Sequence, residues 1–81
     1  MHDRTPREQE ICSSFSANLR KFRDLRGWTQ SQLAELAGVA RCTVNRYEQG
    51  HYRPHIDSAK LLAEALSVSL DTLCSTPKVK P

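Results

Sequence analysis

Residues 27–50 read GWTQSQLAELAGVARCTVNRYEQG, and the fold is decided in this stretch. Thr29, with Gln32 three residues on, supplies a hydroxyl and an amide for the orphan N–H groups of a helix start. Leu33, Leu36 and Ala37 follow as an apolar stripe, so the spacing predicts a helix from about Gln30 to Ala37. Gly38 comes next, and glycine tolerates the left-handed conformation that closes a helix. Val39 restarts the apolar pattern, and Val44 and Tyr47 carry it through a second short helix that stops before Gly50. Leu33, Val39, Val44 and Tyr47 are expected on the inner face, and Ala34 is a small side chain where the two helices must cross closely.

Outward from this centre the pattern stays helical. Towards the N-terminus, Ile11, Phe15, Leu19, Phe22 and Leu25 recur at spacings of four, four, three and three, which lines one helical face up to Gly27. Two starts are open for that helix. Thr5-Pro6-Arg7-Glu8 combines a capping hydroxyl, a proline suited to the first position and a returning glutamate, while Ser13 or Ser14 offers a later cap. Trp28 is expected to cover the core from the turn. After Gly50, the segment 51–55 contains Pro54 and reads as a loop. Ile56, Ala59, Leu62, Ala63 and Leu66 mark a fourth helix, and Ser69 caps a last turn through Leu70 and Leu73. The expected fold is therefore all-α with five helices. Its parts are a polar segment 1–12, which extends the first helix if the earlier start is used, a domain 13–74 with the two-helix motif at 30–49, and a flexible tail 75–81.

Composition bounds the function. A chain of 81 residues suits one domain, and 38% hydrophobic residues build a modest core, but no uncharged apolar run approaches the roughly 18 residues of a membrane span. The start, MHDRTPREQE, lacks the apolar stretch of a secretory signal, so a cytoplasmic location is expected. Twelve Lys and Arg against nine Asp and Glu give a net charge of +3. Arg41, Arg46 and Arg53 cluster with a single acid, Glu48, and with His51, and that segment is the candidate for a polyanion-facing surface. Cys12, Cys42 and Cys74 are an odd number without metal-ligand spacing, which reads as free thiols, with Cys12 and Cys74 as small buried groups. His2, His51 and His55 share no helical spacing that makes a metal site. With no Gly-rich phosphate loop and no nucleophile-base pair, catalytic residues, metal, cofactor and small-molecule ligand are all expected to be absent.

Two short helices joined by a glycine turn make a helix-turn-helix. The quoted stretch resembles the Cro/CI-type, or XRE, phage-repressor family, and the resemblance extends from about Leu19 to Leu73. It implies a lambda-repressor-like domain that binds double-stranded DNA as a transcriptional regulator, with the start of the third helix in the major groove and a homodimer on a roughly palindromic operator. Residue by residue, it implies that Gln30 meets a phosphate at the start of the second helix, where helix N–H groups favour an anion. Arg41, Cys42, Thr43, Asn45 and Arg46 fall at base-facing positions, and Arg53 and Arg20 are candidates for further phosphate contacts. Arg23 and Glu48 match positions joined by an architectural ion pair. At least one of Arg41 and Arg46 is expected to read a guanine, whose O6 and N7 accept a guanidinium fork for about 1–3 kcal/mol of discrimination.

Two positions depart from the family pattern. Ala40 stands where a capping Ser, Thr or Asp is usual, and Cys42 puts a weak hydrogen-bond donor at a base-facing position, where its oxidation is expected to weaken DNA binding. The dimer surface is expected around the fourth and fifth helices, including Leu70 and Leu73, with the extended first helix as the alternative. A protein-docking module, such as an antitoxin that binds a toxin as well as DNA, is the competing reading.

Overall fold

A computed structural model describes residues 5–50 and 52–75. It contains five helices: α1 (Pro6–Leu25), α2 (Gln30–Ala37), α3 (Arg41–Gln49), α4 (Ile56–Leu66) and α5 (Leu70–Cys74), with no strand among the described residues. The earlier of the two starts open for α1 is the one taken. The Glu8 N–H donates to Thr5 Oγ1 at 3.1 Å and the Thr5 N–H donates to Glu8 Oε1 at 3.0 Å, so this box and Pro6 deal with three of the exposed groups at the helix start. The same reciprocal box forms between Thr29 and Gln32 at the head of α2, with bonds of 2.8 and 3.0 Å. At Gly38 the chain turns with φ of 79°, and the N–H groups of Gly38 and Val39 both reach back to the Ala34 carbonyl. Ala40 then opens α3 with extended backbone and no side-chain cap.

The core lies where the five helices meet. Phe15 and Leu19 enter it from α1, Leu33, Ala34 and Ala37 from α2, Val44 and Tyr47 from α3, Ala59, Leu62, Ala63 and Leu66 from α4, and Leu73 from α5. Phe15 and Tyr47 meet edge to face, centroids 5.8 Å apart, an arrangement that suits the aromatic quadrupole. Phe22, Trp28 and Val39 are half-buried against this cluster. Asn18 fastens α5 to α1, its Nδ2 donating to the carbonyls of Leu73 and Ser75 at 2.9 Å each. Arg26 does the same for α4, donating from Nη2 to the Leu66 carbonyl while its guanidinium lies 5.6 Å from the Trp28 ring centre. A cation there complements the partial negative charge of a helix C-terminus.

Several expected core positions are corrected. Leu25, Leu36 and Ile56 are 72%, 60% and 76% exposed. Leu25 sits in the last turn of α1, and Ile56 is the first residue of α4, one turn ahead of the buried Ala59. On α2 the close helix crossing is made through Leu33, Ala34 and Ala37, which rotates Leu36 to the flank. Leu73 is corrected in the opposite sense. It is fully buried, because the Asn18 bonds hold α5 flat on α1, and it is therefore unavailable to a second subunit. Of the cysteines, Cys12 is buried and Cys74 half-buried, where burial pushes its thiol pKa up. The reading of 75–81 as a flexible tail is corrected at Ser75, which is held by Asn18 and by its own hydroxyl on the Asp71 carbonyl, while 76–81 and the readings of His2 and His51 as surface groups lie outside the described residues. Among the described residues no helix is long and apolar enough to cross a membrane.

Candidate nucleic-acid interface

A helix with 3.6 residues per turn that buries Val44 and Tyr47 must turn its other side outward. Arg41 and Asn45 fall one turn apart on that side, and so do Cys42 and Arg46. Arg41, Cys42 and Arg46 are exposed, while Thr43 and Asn45 are half-buried at the edge. The structure thus places all five base-facing candidates within the first six residues of α3, with Arg41, Cys42 and Arg46 exposed and Thr43 and Asn45 at the margins of the buried face.

The inner end of α3 is fixed by charge as well as by the apolar contact of Tyr47. Glu48 Oε2 accepts from Arg23 Nε at 2.6 Å and its Oε1 accepts from Arg23 Nη2 at 3.0 Å, a forked pair in which the side chains are only 5% and 13% exposed. Arg23 Nη1 also donates to the Trp28 carbonyl at 2.6 Å, so one guanidinium joins α1, the turn before α2 and the end of α3. The hydrogen bond to Glu48 raises the Arg23 pKa still further, outweighing the opposing effect of burial. Gln30, the first residue of α2, belongs to the same cluster. Its Nε2 donates to Glu48 Oε1 at 3.0 Å and to Asn45 Oδ1 at 3.4 Å, an engagement with α3 that local sequence gave no sign of.

The remaining cations are placed around this centre. Arg53 lies in the segment after α3, exposed, with Nη2 3.0 Å from Glu8 Oε1 of α1. Glu8 is held below the usual carboxylate range first by the Thr5 backbone N–H and then by Arg53. Arg20 is exposed on α1 beside a cleft of about 650 Å³ that Lys21, Asp24, Glu48 and Gly50 also line. It is on the flank rather than next to the exposed Arg41–Arg46 row of α3. Tyr52 was missed by sequence reading; its ring centre lies 5.3 Å from the Arg46 guanidinium, and the only local signal was an aromatic residue in a polar loop. Among the described residues no group of three His, Cys, Asp or Glu side chains is gathered as for a metal ion.

Comparison with known proteins places this arrangement in a family context. A family model described as helix-turn-helix, HTH_3, matches residues 19–73. The crystal structure of the hypothetical transcription factor NHTF from Neisseria superposes with a TM-score of 0.80 over 95% of this chain and 88% of that one, at 28% identity. The restriction-modification controller protein C.AhdI from Aeromonas hydrophila superposes with a TM-score of 0.72 over 76% of this chain and 94% of that one, at 31% identity. The HTH-type transcriptional regulator SutR of Escherichia coli K12 is 29% identical over 70 residues, 86% of this chain. That match spans only 39% of SutR's own length.

Proposed function

The chain belongs to the XRE-type helix-turn-helix family, and from that membership we propose that it is a transcriptional regulator that binds double-stranded DNA through α3. One observation carries the reading: α3 is locked from behind by Val44, Tyr47 and the Arg23–Glu48 fork while Arg41 and Arg46 stand exposed in front. A duplex placed against that face receives Arg41, Cys42, Thr43, Asn45 and Arg46 in its major groove. Gln30 meets a phosphate at the head of α2, and Arg53 and Arg20 meet phosphates on either side. Of these, Arg53 first gives up its bond to Glu8.

The regulator acts as a homodimer on a roughly palindromic operator, in keeping with the two-fold symmetry usual for this docking mode. With Leu73 removed from the surface, the apolar groups left for the dimer contact are the exposed Ile56 and Leu61 of α4 and the half-buried Leu70 of α5. It works on DNA in the cytoplasm, where Cys42 remains a thiol. Alkylating or oxidising that exposed thiol in the base-facing row weakens binding, and Cys42→Ser removes the sensitivity.

Selection of duplexes from a random pool, followed by titration of the winning sequence, tests the assignment. Arg41→Ala and Arg46→Ala each lower discrimination at particular base pairs, by about 1–3 kcal/mol where a guanine is read. Arg53→Ala weakens binding evenly across sequences and reduces the slope of log K against log salt by about 0.9. Recovery of no preferred sequence, or of binding indifferent to salt as at a neutral protein-docking surface, overturns the reading.

A further inference from the structure

Tyr52 has no part in the core and no expected contact with DNA, yet it is held in place. Its segment is tied down after Pro54 by the His55 N–H, which donates to Tyr47 Oη at 3.0 Å, and before DNA arrives the exposed Arg53 also pairs with Glu8 at 3.0 Å. Tyr47 is itself buried, so the platform carrying Tyr52 is referenced to the same core that fixes α3. From that platform the half-exposed ring faces the Arg46 guanidinium at 5.3 Å. Among the described residues Arg46 has no acidic partner, and this ring is what holds it. Thr43, Arg46, Tyr52, Arg53 and His55 line one cleft of about 300 Å³. Arg46 therefore stands between a base-facing neighbour and the arginine assigned to the backbone.

We infer that Tyr52 is a positioning residue for base recognition: its ring sets the plane and direction of the Arg46 guanidinium before DNA arrives. The inference rests on the reading that Arg46 meets a base edge. A guanidinium lying flat over an aromatic ring engages it through its face, and in that orientation the in-plane N–H fork stays free for guanine O6 and N7. A free arginine gives up considerable rotamer freedom when it docks, and a stacked one has already given up part of it. Without the ring, Arg46 is free to swing towards the phosphates near Arg53, so that it keeps its charge attraction but loses its aim. Tyr52 thus contributes to selectivity more than to total affinity.

The test uses the full chain with its selected duplex and a set of duplexes in which each guanine is replaced in turn. Dissociation constants are measured for wild type, Arg46→Ala, Tyr52→Ala, Tyr52→Phe and the Tyr52→Ala/Arg46→Ala pair. Tyr52→Ala is expected to lose about two- to fivefold of discrimination at the guanine that Arg46→Ala identifies, with other positions and the salt slope unchanged. Tyr52→Phe keeps the wild-type pattern, and in the Arg46→Ala background Tyr52→Ala adds nothing. In the free protein, ring-current shifts of the Arg46 side-chain protons in NMR disappear in Tyr52→Ala and persist in Tyr52→Phe. Full discrimination in Tyr52→Ala at the guanine lost by Arg46→Ala overturns the inference. So does a uniform loss of affinity over all sequences, and so does equal damage from Tyr52→Phe, which assigns the effect to the hydroxyl. If Arg46→Ala changes discrimination nowhere, the base-reading role of Arg46 fails and the role of Tyr52 fails with it.

Discussion

Replacing Glu48 by alanine strands a buried guanidinium, and the cost follows from the geometry around it. Three donors converge on the carboxylate, Arg23 Nε at 2.6 Å, Arg23 Nη2 at 3.0 Å and Gln30 Nε2 at 3.0 Å. After the substitution Arg23 keeps the Trp28 carbonyl and its contact with the exposed Asp24 at 3.5 Å, but its charge has lost its buried counterion. Breaking one side of a buried pair costs about 3–5 kcal/mol, whereas an exposed pair contributes about 1 kcal/mol or less. The side-chain exposures of 5% and 13% put this part-buried pair nearer the first value. A domain of this size is stabilised by about 5–15 kcal/mol in all, so the variant stands near the limit of folding. Its melting point falls by more than about 12 °C, at roughly 4–8 °C per kcal/mol. Urea unfolding followed by far-ultraviolet circular dichroism gives the free energy directly. The Arg23→Met/Glu48→Leu pair, which removes both charges and keeps the volume, recovers most of the loss. A Glu48→Ala loss below about 1 kcal/mol refutes the reasoning, because it means that solvent reaches the pair despite its burial.

Three further expectations follow from local geometry. Gly38 and Gly50 share a φ of 79°, but a Cβ on Gly38 meets nothing within 4 Å, while one on Gly50 lies 3.2 Å from Ser16 Oγ. That hydroxyl is itself held by donating to the Tyr47 carbonyl at 2.6 Å, so Gly50→Ala costs more than the about 1–2 kcal/mol expected for Gly38→Ala, and equal urea midpoints contradict this. Ala40 already has the extended backbone of an N-cap, with φ of −73° and ψ of 147°, so Ala40→Ser adds about 1 kcal/mol; an unchanged melting point rejects it. Glu8 has its folded-state pKa lowered from the ordinary 4.5, so its contribution is complete above that value and is lost as pH falls through the lower one. Hydrogen-exchange protection in the first turn of α1, taken relative to the intrinsic exchange rate at each pH, therefore falls in acid, and Glu8→Gln removes that pH dependence.

What the sequence determined here is local. The boxes at Thr5–Glu8 and Thr29–Gln32, the turn at Gly38 and the inward pair Val44 and Tyr47 depend on residues within four positions of one another, and helix periodicity and capping act over that range. With them came the family pattern and the outward row on α3. What only the tertiary structure decided is which face of each stripe finds a neighbour, and which polar groups meet across the chain. Leu36 and Ile56 fit the apolar pattern yet face solvent, and Leu73 fits a surface contact yet lies in the core. Asn18 with the carbonyls of α5, Gln30 with Glu48 and Arg26 with Leu66 join residues 18 to 57 positions apart. Arg46 and Tyr52 are nearer in sequence, but they are separated by the turn at Gly50. Such meetings are set by the relative placement of whole helices, a consequence of collective packing that no short window of sequence contains.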